Sequence, residues 1–345
     1  LLVSIVVSIL LIIGVFPFWC ILFNTVVYCS IFVQSSTFMS FQWDILLMEA
    51  SILSLLIISP KIRSLLRKQQ FSAMYIQVLP LLLLLVRLFY QAGVIKLLSN
   101  DPLWATYKVL NIHLFSQPLP HLLSYYFHAF VIKNNLSTVF TQLMFLIELF
   151  VPFFLLVKAY RSIAVIILIG FQVLIMLTGN YGFFNVLVIG LLLPFLYLKD
   201  TESKPVLMHR YVRFGWCFLL GIVCYFSLNL VFLNRGHQPW FNTVRPVAIT
   251  YQFMKRLSLF NGYGLFARMT TNQTKYTVFV SNDKQRWSPV HMKYFDKYGF
   301  PELSFIQPYQ PRIRWQLWFK FIRLYNVPAW YERFIYNIAK NPLQM

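Results

Sequence analysis

The sequence predicts an all-α polytopic membrane domain over residues 1–233, followed by a small β-rich extramembrane domain with amphipathic helices over residues 234–345. Hydrophobic residues make up 59% of the 345 residues and charged residues 12%. Because soluble globular chains contain about a quarter charged residues, this composition indicates a membrane protein. Beyond residue 233, the long apolar runs give way to a mixed sequence with turn residues, which is typical of short strands and surface helices.

Apolar runs of spanning character recur through the first 233 residues. One crossing needs about 20 residues. Residues 1–33 exceed that length and are interrupted by Gly14 and Pro17, so we predict one and a half spans or two short ones there. The further predicted spans are 41–59, 72–98, 137–157, 162–178, 183–198 and 212–233. Together they give about seven or eight transmembrane helices.

Charged side chains lie inside several of these runs, where each costs about 3 kcal/mol unless it meets a partner, water or an interface. We predict that Glu49 is a hydrogen-bonded structural carboxyl. Arg87 lies deep in its run, and we expect it to face the protein interior or a water-filled cavity, with Glu148 as its candidate partner. Lys96 lies near the end of the same run, where its ammonium is expected to snorkel to the interface. The alternative is that burial tunes Lys96 as a general base.

The distribution of basic residues predicts the topology. The loop at 60–70 holds four basic residues, whereas the much longer segment at 99–136 holds two. The loop at 199–211 is again basic. Basic loops stay on the cytoplasmic side, so we expect 99–136 and everything after residue 233 to lie on the lumenal or periplasmic side.

The segment at 99–136 is an aromatic, proline-containing connection of unusual length, and such connections are more often functional than plain linkers. It contains His113, His121 and His128, whose spacing would bring them near one face of a helix. Pro118 and Pro120 interrupt that helix, so we expect no metal site and interpret these histidines as interfacial.

The tail is strongly basic, with 16 Lys and Arg residues against four acids in residues 234–345. Residues Lys275–Ser281 and Arg286–Phe295 are predicted as strands that flank a turn at Ser281–Gln285. Residues Arg312–Arg323 are predicted as an amphipathic helix that lies on lipid headgroups or packs on the β-rich domain. We expect the basic surface to face a membrane or an acidic client, and its side of the membrane argues against nucleic acid.

Motifs of known enzyme classes are absent from the sequence. It contains no H-E-x-x-H, P-loop, G-x-S-x-G or G-x-G-x-x-G pattern. The four cysteines lie in apolar spans without a C-x-x-C pair, which argues against a thiol oxidoreductase. They are Cys20, Cys29, Cys217 and Cys224.

Five blocks, taken in order, resemble the lipase maturation factor family. They are FQWDILLMEA (41–50), RLFYQAGVIKLLSNDP (87–102), QPLP (117–120), NGYGLFARMT (261–270) and QPYQPRIRWQLWF (307–319). The resemblance implies a multi-pass membrane protein, and it implies a role in the maturation of secreted lipases in the endoplasmic reticulum. This family is in turn distantly similar to the membrane domain of the vitamin K-dependent carboxylase type.

We therefore expect a non-enzymatic factor that assists the folding or assembly of secreted lipases or other exported clients and contacts membrane lipids. No cofactor is expected. The alternative is a carboxylase-like membrane enzyme acting on a lipid or quinone-type substrate. We expect the endoplasmic reticulum membrane if the source is eukaryotic and the inner membrane if it is bacterial. The candidate functional residues are Arg87, Lys96, Asp101, Trp104, His113, Gln117, Pro118 and Glu148. The candidate client-binding residues are Asn261, Tyr263, Gly264, Gln310, Pro311, Trp315 and Trp318.

Overall fold

The computed structural model of the protein describes a mostly helical chain. The described residues are 2–35, 37–39, 41–55, 57–58, 75–196, 245, 249, 252, 261–271, 278–290, 303–322 and 327–340. Their helices are α1 Leu2–Ile12, α2 Pro17–Gln34, α3 Gln42–Leu55, α4 Tyr75–Leu98, α5 Pro102–Ala105, α6 Leu110–Ser116, α7 Leu122–Lys133, α8 Ser137–Leu149, α9 Arg161–Thr178, α10 Phe184–Leu192, α11 Arg312–Ile322 and α12 Ala329–Lys340. Short 3₁₀ helices, Val151–Leu156 and Leu193–Leu196, follow α8 and α10.

Four stretches among the described residues are long and apolar enough to cross a membrane. They are Pro17–Gln34, Val78–Leu98, Ser137–Leu156 and Arg161–Thr178. Leu2–Ile12 and Phe184–Leu196 are apolar but shorter. The predicted span at 212–233 lies outside the described residues, so the count of seven or eight helices stays a prediction.

The first apolar run is divided where the sequence predicts. Gly14 has φ +80° and Pro17 occupies the start of α2, where its missing N–H is not needed for the helix. The two helices pack on each other. Between them, Asn24 Nδ2 donates to Ser8 Oγ at 3.2 Å. The run therefore contains one helix of spanning length and one shorter helix.

The chain divides into two compact units. The first comprises Leu1–Asn100, Leu143–Gln172 and Val186–Ala267. In it α3 packs on α4, and α4 packs on the 3₁₀ helix Val151–Leu156. The core of α4 is aliphatic, with Leu82, Leu84 and Leu85 at most 1% exposed. At the end of the 3₁₀ helix, the buried Arg161 donates its Nε–H to the Leu155 carbonyl at 2.9 Å.

The second unit comprises Asp101–Gln142, Val173–Asn185 and Arg268–Met345. The segment at 99–136, predicted as a long aromatic loop, instead forms the three short helices α5, α6 and α7. Asp101 caps α5 by accepting from the Leu103 N–H at 2.8 Å, and Pro102 begins the helix. His121 and Ser124 form a reciprocal capping box at the start of α7. Capping residues therefore define helices that the apolar periodicity does not predict.

A small antiparallel hairpin lies in the same unit. Strands β1 Phe279–Val280 and β2 Ser288–Pro289 pair with Phe279 opposite Pro289 and Val280 opposite Ser288. The intervening turn is closed by Asp283, whose Oδ1 accepts from the Gln285 and Arg286 N–H groups. These bonds and one from Ser281 lower the pKa of Asp283. The hairpin and its turn lie where the sequence predicts them.

The hairpin packs against the two C-terminal helices. Leu317 of α11 and Phe334 and Ile338 of α12 form a buried cluster. Val278, Val280 and Val290 pack against this cluster, so Val278 and Val280 lie on one face of the strand. Of the two alternatives for the helix at Arg312–Arg323, the structure shows packing on the hairpin through Leu317. A β-rich domain stays a prediction, because residues 272–277 and 291–300 lie outside the described part.

Gly93 marks a close approach of two helices within the first unit and provides a test of its packing. A methyl group on Gly93 would lie 2.8 Å from Leu149 Cδ2 and 3.2 Å from Glu148 Cβ. We expect Gly93→Ala to lower the free energy of unfolding by about 1–3 kcal/mol through overpacking. The matched control is Gly170→Ala, because no atom lies within 4 Å of the corresponding position in α9. Thermal melting in detergent measures both changes. Equal melting temperatures would contradict the close approach.

Candidate functional site

The residues singled out from the sequence divide between the two units. The first unit holds Arg87, Lys96, Glu148, Asn261, Tyr263 and Gly264. The second unit holds Asp101, Trp104, His113, Gln117, Pro118, Gln310, Pro311, Trp315 and Trp318. The first unit contains a buried polar cluster and a separate buried ion pair, and the second unit contains a second buried polar cluster.

The centre of the first cluster is the carboxylate of Glu49, which is 1% exposed. Its Oε1 accepts from Arg87 Nη2 in a buried ion pair. The predicted partner of Arg87 was Glu148, and that prediction is wrong. The correct partner lies on α3 rather than on α8, and the spacing of residues along the chain gives no indication of which span supplies it. The predictions that Arg87 faces the protein interior and that Glu49 is hydrogen-bonded are confirmed.

Residues from the NGYG block complete this cluster. Tyr263 Oη donates to Glu49 Oε2 at 2.8 Å, and Asn261 Nδ2 donates to the same oxygen at 3.2 Å. The Arg87 guanidinium also lies over the Tyr263 ring, 5.4 Å from its centroid. The carboxylate of Glu49 thus binds a cation, a phenol and an amide, and both of its buried oxygens are hydrogen-bonded.

Backbone hydrogen bonds fix the same block on the helices. The Tyr263 N–H donates to Gln91 Oε1 of α4 at 2.9 Å, and the Gly264 N–H donates to Gln42 Oε1 of α3 at 3.1 Å. A Cβ at Gly264 would lie 2.5 Å from Ile95 Cδ1, so a side chain there would force Ile95 to move away from the backbone. Residues 261–264 are therefore docked on α3 and α4 by side chains of those two helices.

A second buried ion pair lies in the first unit. Lys96 Nζ donates to Glu148 Oε1 at 2.5 Å, and Met144 Sδ lies 3.8 Å from the same nitrogen. Lys96 is 7% exposed and Glu148 is 5% exposed. The prediction that Lys96 snorkels to an interface is therefore wrong, because a carboxylate on α8 stabilises its ammonium inside the protein.

The second cluster, in the second unit, is built on the side-chain amide of Gln117, which is 1% exposed. Its Nε2 donates to the carbonyls of Leu114 at 2.9 Å and Thr178 at 2.7 Å. Its Oε1 accepts from Tyr181 Oη at 2.8 Å. Ser124 Oγ donates to the same Thr178 carbonyl at 2.8 Å. The amide therefore ties the end of α6 to the turn that follows α9.

These bonds determine the state of His113. Burial raises the pKa of Tyr181, so its hydroxyl stays protonated and gives its single hydrogen to Gln117. His113 Nε2 lies 3.1 Å from the same hydroxyl oxygen. It must therefore donate to Tyr181, which assigns the hydrogen to Nε2. The chain His113–Tyr181–Gln117 is a directional relay of hydrogen bonds.

The other two histidines of the segment bind elsewhere. His121 Nδ1 accepts from the Leu123 N–H at 3.2 Å, and its Nε2 contacts the Met176 carbonyl at 3.3 Å. His128 Nε2 contacts the Asn111 carbonyl at 2.9 Å. Each imidazole thus has a separate backbone partner. Among the described residues, no three of His, Cys, Asp and Glu are grouped as metal ligands.

The QPYQP block is held in the second unit by Asn180. Its Nδ2 donates to the carbonyls of Leu119 at 3.0 Å and Ser304 at 2.9 Å, and its Oδ1 accepts from the Ile306 N–H at 3.1 Å. Gln307 Nε2 donates to the Gly179 carbonyl. The turn between α9 and α10 is therefore a common anchor for the QPLP and QPYQP blocks.

The tryptophans take positions that the sequence did not predict. Trp104 is 5% exposed and Trp315 is 2% exposed, so neither forms part of an exposed aromatic surface. Trp315 instead packs with Tyr181 at 6.3 Å between ring centroids, and with Trp318 at 6.2 Å. Asp101 Oδ2 accepts from the Met269 N–H at 2.8 Å, which joins the start of α5 to the segment that follows the NGYG block.

Sequence reasoning missed several members of both clusters, namely Gln42, Gln91, Ser124, Asn180, Tyr181 and Gln307. Gln42 and Gln91 carry a usable signal, because an amide within an apolar run needs a buried partner. Asn180 and Tyr181 lie in the short turn between two spans, where composition alone gives no such signal.

The Lys96–Glu148 pair provides a stability test. Lys96→Met and Glu148→Met should each lower the free energy of unfolding by about 3–5 kcal/mol, because each leaves an uncompensated charge in the interior. The double variant should recover most of that loss. Thermal melting of the four proteins in detergent measures the coupling. Additive losses in the double variant would show that the two side chains do not act as a pair.

His121 provides a pH test. Burial lowers the pKa of His121, so the unfolded state binds a proton more readily than the folded state does. The stability that neutral His121 contributes is complete above its ordinary pKa of about 6.5 and is lost as pH falls through the lowered folded value. We expect the melting temperature of the protein to fall from about pH 7.5 to pH 5, and to fall less in His121→Asn, which keeps a capping acceptor. Parallel pH profiles would contradict this assignment.

Comparison with known proteins covers most of the chain. The family model described as the lipase maturation factor transmembrane domain matches residues 1–204, and that described as the lipase maturation factor C-terminal domain matches residues 259–344. No solved structure matches the protein.

Curated relatives agree with these matches. Lipase maturation factor 2 of Mus musculus is 26% identical over an alignment of 425 positions. The alignment covers 91% of this chain and 60% of the relative. Lipase maturation factor 2 of Homo sapiens is 35% identical over 179 residues, which cover 49% of this chain. Lipase maturation factor 1 of Mus musculus is 26% identical over 72% of this chain. The chain spans about three fifths of the length of lipase maturation factor 2 of Mus musculus. With both family models matched in order, the chain belongs to the lipase maturation factor family.

Proposed function

We propose that the protein assists the folding or assembly of secreted lipases or other exported clients, and that it does so by holding the client rather than by catalysis. Support comes from its family and from relatives such as lipase maturation factor 2 of Mus musculus. The clients and the membrane lipids that surround the spans are the proposed partners.

The observation that carries this proposal is a set of exposed apolar side chains in the second unit. Phe305 is 54% exposed, Tyr309 is 57% exposed and Tyr126 is 66% exposed, and all three lie outside the four stretches of spanning length. The ring of Phe305 lies 5.6 Å from that of His121, at the start of α7, where Leu122 is also 51% exposed. Exposed apolar groups that lie outside the spanning stretches are typical of a site that binds another protein.

We place this surface on the lumenal side of the endoplasmic reticulum membrane in a eukaryote, or on the periplasmic side of the inner membrane in a bacterium. The positive-inside distribution supports this location, because the basic loop at 60–70 belongs on the cytoplasmic side and the charge-poor segment at 99–136 on the opposite side. The proposed domain division at residue 233 rests on the change from long apolar runs to a mixed sequence with turn residues.

The contacts of the candidate base favour holding over catalysis. Lys96 was the candidate general base of the carboxylase-like alternative, yet its ammonium donates to Glu148 at 2.5 Å. A general base must instead present an unprotonated lone pair to its substrate. Glu49 and Arg87 are likewise engaged with each other and with the NGYG block. Both ion pairs join neighbouring helices, α3 with α4 and α4 with α8, as expected for structural contacts.

The test substitutes two exposed side chains, Phe305→Ser and Tyr309→Ser, in cells that lack their own lipase maturation factors and express a secreted lipase. Loss of an apolar contact worth about 1 kcal/mol or more should reduce secreted lipase activity roughly five-fold in each variant. The melting temperature of the membrane protein should stay unchanged, since neither side chain is buried.

The matched control is Tyr336→Ser on α12, because Tyr336 is 65% exposed but lies away from the Phe305 segment in sequence. Lipase secretion should be normal with this variant. Normal secretion with Phe305→Ser and Tyr309→Ser, or an equal loss with Tyr336→Ser, would contradict a client surface at this position.

A further inference from the structure

The hairpin formed by β1 and β2 has an inner face and an outer face. Its inner face packs through three valines on the buried cluster of α11 and α12. Side chains alternate along a strand, and those of paired residues lie on the same face. In the observed register Phe279 pairs with Pro289, so both lie on the outer face, and Trp287 lies on that face by the same alternation. The outer face of the hairpin is thus aromatic.

These aromatic side chains are exposed and lie beside basic residues. Phe279 is 51% exposed and Trp287 is 59% exposed. The adjoining turn carries Lys284 and Arg286, which are exposed as well. The acid of the turn is Asp283, whose Oδ1 accepts three hydrogen bonds from within the turn. With two cations and one acid, the segment 279–289 has a net charge of +1.

Contacts within the second unit bring the hairpin close to the end of a helix of spanning length. Helix α9 ends at Thr178, and three residues later the ring of Tyr181 packs with that of Trp315 on α11 at 6.3 Å between centroids. Leu317 of α11 belongs to the cluster on which the hairpin packs. Two residues turn an α-helix by about 200°, so α11 lies between the turn after α9 and the hairpin. One helix diameter, about 10–12 Å, therefore separates the hairpin from the end of a span.

This combination of side chains suits the headgroup layer of a membrane. Tryptophan is enriched at membrane–water interfaces, because its ring is apolar while its N–H can still reach water. Basic side chains bind lipid phosphates, and arginine does so through paired hydrogen bonds. The proposed client surface around Phe305 is different in kind, since the segment 303–310 contains no charged residue.

We propose that the outer face of the hairpin binds the surface of the membrane that the chain spans. Phe279 and Trp287 enter the interfacial layer, and Lys284 and Arg286 bind the phosphates of anionic headgroups. The partner is therefore lipid, and the contact holds the second unit against the membrane. This inference goes beyond the proposed function and does not depend on it, because it concerns a lipid rather than a client.

The test identifies the lipid contact in the full chain, reconstituted in lipid nanodiscs. One set contains phosphatidylcholine alone, and the other also contains phosphatidylglycerol. Both include a trace of a phospholipid with a photoreactive group near its headgroup, and mass spectrometry measures the label on the peptide that carries residues 279–289. We expect label in both sets, and about three-fold more with the anionic lipid, because basic residues near the surface are attracted to it. A salt concentration of about 1 M should remove this difference by screening.

Variants separate the aromatic part of the contact from the basic part. Trp287→Ser should reduce the label about five-fold in both kinds of nanodisc, because the ring supplies the apolar contact. The double variant Lys284→Gln and Arg286→Gln should lose only the extra label that the anionic lipid gives. The matched controls are Tyr336→Ser and Lys340→Gln, which make the same kinds of change at exposed positions of α12 and should leave the label unchanged. The comparisons of lipid and salt use the unchanged protein, so they do not depend on the folding of any variant.

The label on α9 serves as the reference, because Ile163 and Ile166 are exposed on a helix of spanning length. Absence of label on the hairpin while α9 is labelled, equal label in the two kinds of nanodisc, or unchanged label in Trp287→Ser would overturn the inference. If lipid does not label the hairpin but Trp287→Ser reduces lipase secretion, the hairpin contacts a client instead, and this inference fails while the proposed function stands. If lipid labels the hairpin as expected but lipase secretion does not depend on the protein, the membrane contact stands and the proposed function fails.

Discussion

The carboxylate of Glu49 is the contact on which the first unit depends. It is buried, and it binds Arg87 of α4 and Tyr263 and Asn261 of the NGYG block. A carboxylate without these donors would carry an uncompensated charge in a region where that is costly. Helix α3, helix α4 and the segment at 261–264 therefore depend on one another. If any one of them moved away, the other two would keep buried polar groups that have lost a hydrogen-bond partner. Tyr263 lies in the region that matches the C-terminal family model, and Glu49 lies in the region that matches the transmembrane family model. The hydrogen bond between them joins the two regions.

In the second unit, neutral side chains rather than ion pairs hold the segments together. Gln117, Asn180 and Tyr181 connect α6, the start of α7 and the QPYQP block through the turn that follows α9. Amides suit this task because each has donors and an acceptor at fixed angles, so one side chain can join several backbone segments at once. The ion pairs of the first unit are stronger contacts, whereas the amides of the second unit have a more specific hydrogen-bond geometry. Ion pairs fix the helices, and amides fix the turns.

The sequence was sufficient for those features that depend on local chemistry. Gly14 and Pro17 divide the first apolar run, and Arg87 and Glu49 are buried as polar groups inside spans must be. The hairpin turn follows from its polar residues, with Asp283 closing it. What failed were inferences about partners. Glu49 lies 38 residues before Arg87 in the chain, and only the packing of α3 on α4 brings them together.

The aromatic segment at 99–136 failed for a different reason. Its helices contain 4, 7 and 12 residues, too few for apolar periodicity to distinguish them from a loop. Their order comes from caps such as Asp101 and His121, which are single residues rather than patterns. The burial of Trp104 and Trp315 was also beyond reach, because an aromatic residue near a membrane boundary is equally typical of an interface.

The 3₁₀ helix after α8 has a consequence for how far this span reaches. The 13 residues of α8 rise about 20 Å, which is well short of the roughly 30 Å of a hydrocarbon layer. The six residues of Val151–Leu156, wound at about 2 Å per residue, add about 12 Å and bring the span to full thickness. Stretching the backbone in this way frees carbonyls at its end, and Arg161 binds one of them at Leu155. By the same measure, α10 with its own 3₁₀ helix, Phe184–Leu196, rises only about 22 Å. Over its described residues this helix is therefore shorter than a hydrocarbon layer of about 30 Å.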